Sequence, residues 1–199
     1  MNFENAKLLY VLSVVLLGFI ILLPSIFAVI PFPEGERFSE LWLLGPNRLI
    51  ESSTFNVSIK QPHTFYLGVG NKLGDLEYYQ VYVKLRNQFE ALSDTIVGLP
   101  SPLEPVFEYN LFMRNNDTWE QAFEFSFEEG YFEENIWHIS KLSIDDYDLM
   151  VDKIIAWDEE NNGFYCQLLF ELWIYNTTTS DFQYHNRYVS VWLNMTQTY

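Results

Sequence analysis

Hydrophobic and polar positions alternate along most of this chain. In "TFNVSI" Phe55, Val57 and Ile59 fall on one side, with Asn56 and Ser58 on the other. Tyr79, Val81, Val83 and Leu85 alternate with Gln80, Tyr82, Lys84 and Arg86; Phe123, Phe125 and Phe127 alternate with Glu124, Ser126 and Glu128. Near the C-terminus Val189, Val191, Leu193 and Met195 alternate with Ser190, Trp192 and Asn194. A period of two is the mark of strands with one buried face. Turn-forming clusters separate them at 61–63, 74–75, 115–117, 161–163 and 177–181, giving about seven to nine short strands and predicting a β-sandwich. Two segments break the rhythm. The proline-rich "GLPSPLEP" at 98–105 predicts a crossing loop. "SIDDYDLMVDKIIAW" at 143–157 has capping-box spacing at Ser143 and Asp146 and one apolar helical face, predicting a short helix, with a strand over "DKIIAWD" the rival.

The pattern at the N-terminus is of another kind. Residues 8–30 are uncharged and mostly apolar, long enough to cross the roughly 30 Å hydrocarbon core as one transmembrane helix. Lys7 precedes the run and "PFPEGERFSE" follows it, so the positive-inside rule places residues 1–7 in the cytoplasm and 31–199 outside the cell. The expected location is the cell membrane, single-pass, with the lipid bilayer and one or more integral membrane subunits as partners. Gly18, Ser25 and Ala28 share a helix face where small side chains let a neighbouring helix approach. Four sequons, at Asn56, Asn116, Asn176 and Asn194, fall on turns or polar strand faces and are candidate sites for N-linked glycans.

Composition narrows the functional classes. The formal net charge of −16 is incompatible with a nucleic-acid partner, since nothing here neutralises a phosphate backbone, and it opposes docking on anionic lipid. A single cysteine, Cys166, allows no intrachain disulfide; it alternates with apolar neighbours and reads as a small buried hydrophobe. Aromatic residues make up 18% of the chain, which favours strands and leaves aromatics for the surface. Tyr78, Tyr82, Trp173, Tyr175, Tyr184, Tyr188 and Trp192 alternate with core-facing positions and are candidate interface residues.

Catalytic patterns are absent. His63, His138 and His185 are scattered, His138 reading as a core histidine and His185 as a surface one, and no metalloprotease, nucleophile-elbow or phosphate-loop motif occurs. Asp158–Gly163 resembles the start of a calcium loop, but Glu160 and Leu169 stand where Asp or Asn and a bidentate Glu are required. A polar hairpin turn accounts for it better. Asp145, Asp146 and Asp148 read as helix-start carboxylates, and Glu128, Glu129, Glu133 and Glu134 as solvated charge around a Gly130 turn. No enzyme activity, metal or cofactor is expected.

Three stretches carry a family resemblance. They are Phe38-Ser-Glu-Leu-Trp-Leu-Leu-Gly-Pro46, Asn116-Asp-Thr-Trp119 and Arg187-Tyr-Val-Ser-Val-Trp192. In order and spacing they resemble an archaeal membrane-protein family catalogued as domain of unknown function 1616. The resemblance covers most of 38–127 and 163–196 and implies an extracytoplasmic Ig-like β-sandwich on a membrane anchor, with 128–162 as an extension. Members resemble multi-span proteins, whereas this chain has one apolar run. The family brings no catalytic residues. The expected function is that of a membrane-anchored accessory or structural subunit making protein–protein contacts in an envelope complex. The alternative is a carbohydrate-binding module at the cell surface, since exposed aromatics also stack on sugars.

Overall fold

The computed structural model describes residues 3–29, 36–49 and 54–196. Two units are distinct, Met1–Arg37 and Phe38–Tyr199. The first holds helix α1, Phe3–Val29, whose side chains are described over residues 7–23. Among the described residues no helix is long and apolar enough to cross a membrane. This overturns the single-pass anchor expected over 8–30 and the cell-membrane location, with its cytoplasmic N-terminus and extracellular domain, that rested on it. A side chain added at Gly18 would meet open space; Ser25 and Ala28 lie outside the residues whose side chains are described.

The second unit is mainly β. Ten strands pair into one curled sheet made of two five-stranded arrays. The first array runs β1 (Phe38–Leu44), β3 (His63–Lys72), β6 (Thr118–Glu133), β7 (Ile136–Ile144) and β8 (Tyr147–Asp158). The second runs β2 (Phe55–Val57), β10 (Asp181–Met195), β9 (Gly163–Asn176), β4 (Glu77–Asn87) and β5 (Phe107–Met113). They join where Trp157 and Asp158 pair with Phe164 and Gly163. Neighbouring strands are antiparallel except β2 and β10, which run parallel through Phe55–Leu193 and Val57–Met195.

The alternation read from the sequence sets the buried faces. Tyr79, Val81, Val83 and Leu85 on β4, and Cys166, Leu168, Phe170 and Leu172 on β9, meet Phe65, Leu67 and Val69 on β3 and Phe123, Phe125 and Phe127 on β6 in one core. Phe123 and Phe170 touch edge to face across it, centroids 4.9 Å apart. A polar chain crosses one end of this core. His185 Nε2 lies 3.0 Å from Ser39 Oγ, which lies 2.8 Å from Tyr79 Oη, which donates to Asn71 Oδ1. His185 is therefore partly buried and not a surface histidine. The register shift between Tyr184 and Arg187 turns it inward.

Strand β1 is apolar on both faces for a local reason. Leu41 and Leu43 pack on the core, while the Trp42 ring fills the space above Gly68, its register partner on β3. Its Nε1–H donates to Glu120 Oε2 at 3.1 Å, and Arg48 holds the other oxygen at 3.0 Å.

Two local expectations are corrected. Residues 143–157 form no helix: they close β7 and supply most of β8, so of the two readings the strand over "DKIIAWD" is the one that holds. Asp145 and Asp146 take φ of 46° and 66°, the left-handed pair of a two-residue hairpin, which Asp tolerates because its short side chain bonds locally. Asp145 Oδ1 accepts the Glu124 N–H, and Oδ2 accepts the Tyr109 hydroxyl. Gly130 is likewise not at a turn but within β6, at a bulge; the turn is Glu134–Asn135, with φ of 50° and 66°.

Candidate functional site: the outer face of the second array

Side chains that alternate with the core on β5, β4, β9 and β10 share one outward surface, divided into a covered half and an open half. The covered half lies under residues 88–105 and is built on charge. Glu171 is fully buried and Lys84 nearly so, their charged atoms 2.8 Å apart. Glu171 Oε1 accepts Ser93 Oγ–H at 2.6 Å and the Ser101 N–H at 2.7 Å, and Oε2 accepts the Trp173 indole N–H at 3.1 Å. Lys84 also donates to the Ser101 carbonyl at 2.7 Å. Beside it Arg86 donates to Gln167 Oε1 at 2.6 Å and, through Nε and Nη2, to the Glu90 carbonyl. Burial holds this guanidinium below its ordinary pKa, opposed by the nearby Glu90 carboxylate. The whole assembly clamps the crossing loop onto the sheet. Its charged groups are matched within the protein, so it reads as fastening rather than chemistry.

The open half is aromatic. Tyr78 and Phe112, register partners on β4 and β5, stack with centroids 4.1 Å apart. Phe182 meets Tyr78 edge-on at 4.8 Å and Tyr175 at 5.3 Å. Phe112 is 72% exposed, a large value for a residue whose neighbours Leu111 and Met113 are buried. A row of hydrogen bonds borders the rings: Tyr82 Oη to Gln80 Oε1 at 2.8 Å, then Gln80 Nε2 and Tyr78 Oη to Asn110 Oδ1 at 2.9 and 3.1 Å. Rings stacked on each other in this way offer rims and one outer face, an apolar rather than a sugar-shaped surface.

The seven aromatics expected at an interface occupy this outward side, but not as one patch. Tyr78 and Tyr175 join the open cluster, and Tyr82 packs on Trp173 at 5.1 Å near the boundary. Tyr184 packs on Trp173; burial, then Glu171, pushes its hydroxyl up to about 12, with Ser93 opposing the rise. Tyr188 is half-buried opposite Glu171. Trp192 stands apart, Arg86 lying 5.4 Å over its ring, beside a cavity of about 300 Å³ lined by Thr54, Asp158, Asn161 and Tyr165. Phe112 and Phe182 were not expected. Phe112 shares its face with Glu108, Asn110 and Arg114, an outward signal that its own apolar side chain, between Leu111 and Met113, obscures.

The remaining candidates do not converge. Asp158 accepts the backbone N–H groups of Glu160 and Asn161 and the Asn161 amide, which hold its carboxyl below the ordinary range. It caps a hairpin turn. Asp148 is paired with Lys141 at 2.8 Å. Among the described residues no three His, Cys, Asp or Glu side chains come together as a metal site. His138 stacks flat on Tyr131 at 4.7 Å, and His63 stacks on Phe125 with its Nε2 buried and unpaired. Cys166 is fully buried, and burial pushes its thiol up to about 12. Of the sequons, Asn116 sits in an exposed turn with φ 69°. Asn176 is held in its own turn by Thr178 and Gln183. Asn194 is engaged on both sides, accepting from the Phe164 N–H and donating to Asn56 Oδ1.

No family model matches the chain, and no curated protein does. Solved structures similar to it include crystal structures of a beta-glucosidase from Listeria innocua. For the enzyme alone the identity is 11% and the TM-score 0.35, covering 86% of this chain and 18% of that one. For its complex with glucose the identity is 11% and the TM-score 0.34, covering 83% and 18%. The chain thus spans less than a fifth of the length of these proteins, and a likeness at that TM-score carries no argument about function.

Proposed function

We propose that this chain is an accessory module that contacts another protein through the open half of its second array. The observation that carries this is the Phe112–Tyr78–Phe182–Tyr175 cluster with Phe112 72% exposed. Clustered aromatics supply contact area at small entropic cost and are over-represented at interfaces. The clamped loop beside them keeps that surface rigid, which lowers the ordering penalty of association. The module is an Ig-like β-sandwich in this proposal, supported by two largely antiparallel five-stranded arrays closing on one core; kinship with domain of unknown function 1616 belongs to the same proposal. Purification of tagged chain from its native cells tests it. Wild type should bring down a stoichiometric partner that Phe112→Asp loses while keeping its thermal midpoint. Identical partner sets for the two proteins overturn the reading.

A second reading, binding of a saccharide, is favoured by Trp192 beside the cavity shared with Asp158, Asn161 and Tyr165. Under it the isolated chain binds glycans unaided and Trp192→Ala abolishes that binding.

A further inference from the structure

Strand β8 ends the first array, and its outer edge is treated differently along its length. Near its C-terminal end the edge is closed by side chains: Asn87 Nδ2 donates to the Ile154 carbonyl at 3.1 Å and Gln88 Nε2 to the Ala156 carbonyl at 3.0 Å. Lys153 is fastened there to Glu90 at 2.8 Å. Such caps blunt a strand edge that would otherwise pair with another chain. Among the described residues they stop at Ile154. The two-residue turn makes Ile144 and Tyr147 a hydrogen-bonded pair, so alternation turns the backbone of Asp148 and Met150 away from β7. Along this uncapped part, residues 148–153 form one wall of a groove of about 500 Å³. Leu103, Glu104, Pro105 and Val106 form the other wall, and Leu85 completes the lining.

We infer that this groove receives an extended basic peptide as an added strand on β8. Main-chain groups of Asp148 and Met150 would bond the peptide, while Leu85, Leu103, Val106, Leu149 and Val151 take its inward side chains. Charge selects the occupant. Asp148, Asp152 and Glu104 border the groove; Lys153 is committed to Glu90, and Lys141 pairs with Asp148 from β7. A second copy of the chain is disfavoured, because two-fold pairing about Met150 sets each Asp148 opposite the other copy's Asp152, like charge against like. A strand with Lys or Arg at alternate positions reverses that repulsion. The groove is separate from the aromatic face on β4, β5, β9 and β10, so neither proposal rests on the other.

The full chain is titrated by calorimetry with a blocked alternating Lys-Val hexapeptide, a Glu-Val counterpart, and a Lys-Val peptide N-methylated at every residue. Hydrogen exchange follows the β8 amides. The Lys-Val peptide should bind and slow exchange at Asp148 and Met150, and Asp152→Lys should weaken binding roughly tenfold. The other two peptides should bind at least tenfold more weakly. Three results overturn the inference. One is equal binding by the N-methylated peptide, which reduces the effect to charge. Another is no binding of the Lys-Val peptide. The third is slow exchange at Met150 before any peptide is added, which means the edge is already covered, whether by this chain or by a second copy.

Discussion

At the scale of single residues, Glu171 decides more than any other. It carries no exposed surface, and its two oxygens gather Lys84, Ser93, Ser101 and Trp173. Lys84→Met would strand the carboxylate in the interior, at a cost of about 3–5 kcal/mol. Pairing it with Glu171→Leu removes the stranded charge, so the double variant should recover much of that loss in urea unfolding; additive losses would show that the ion pair does not couple the two positions. Titration gives a second residue-level outcome. Burial holds both His63 and His185 below the ordinary 6.5, with Arg187 adding to the effect at His185. The unfolded chain therefore takes up these protons more readily than the folded one. Stability should be complete above pH 6.5 and decline as pH falls below it toward the depressed folded values. Urea midpoints at pH 7 and pH 5 should differ in that direction, and His185→Gln should narrow the difference.

At the scale of elements, turns and edges carry the specificity. Asp146 takes a left-handed φ of 66° with no side-chain bond of its own described, whereas Asp145 anchors Glu124 and Tyr109. Asp146→Gly should leave the thermal midpoint level or raise it, and Asp146→Val should lower stability by about 1–3 kcal/mol. The reverse ranking would mean the turn is not what fixes the hairpin. On β1 and β3 the fit is steric. A Cβ on Gly68 would stand 2.1 Å from the Trp42 ring, so Gly68→Ala should cost about 1–3 kcal/mol, and Trp42→Ala in the same chain should relieve part of it. These elements also show how far the sequence could be read. β4, β6 and β10 were legible because each alternates apolar core side chains with mostly polar ones, leaving a clean period of two at Tyr79–Leu85, Phe123–Phe127 and Val189–Met195. The 143–157 segment was misread as a helix because Asp145 and Asp146, which form a hairpin turn, carry the same carboxylate signature as a helix start. The covering of the outward half of β9 and β4 was not legible. Lys84, Arg86 and Glu171 look solvated in sequence, and only the return of residues 88–105 over them makes them interior. The candidate site was half legible, since Tyr78 and Tyr175 carry a polar tip on the outward face, whereas Phe112, although in phase with Glu108, Asn110 and Arg114, is apolar like its core-facing neighbours.

At the scale of the molecule, stability is carried by one apolar core and one buried polar clamp. The calcium-like segment Asp158–Gly163 uses its leading carboxylate to close its own turn, so chelation should leave folding untouched. Thermal unfolding with and without EDTA should give the same midpoint; a large drop on chelation would return Asp158 to the list of metal ligands.

The parallel seam between β2 and β10 has a consequence for the order in which the chain is made. Ser58 and Thr196, whose hydroxyls meet at 3.0 Å beside that seam, are 138 positions apart. On a ribosome adding about 5–20 residues each second, β2 waits on the order of ten seconds for its partner strand to be synthesised. During that interval Val57 and Phe65, and later Phe123, Phe125 and Phe127 as they emerge, face water or whatever else binds them. Long-range pairing of this kind also slows folding after release. Nascent chains arrested before Asp181 should therefore be held by chaperones and cut readily by protease, and resistance should appear only once β10 has cleared the exit tunnel.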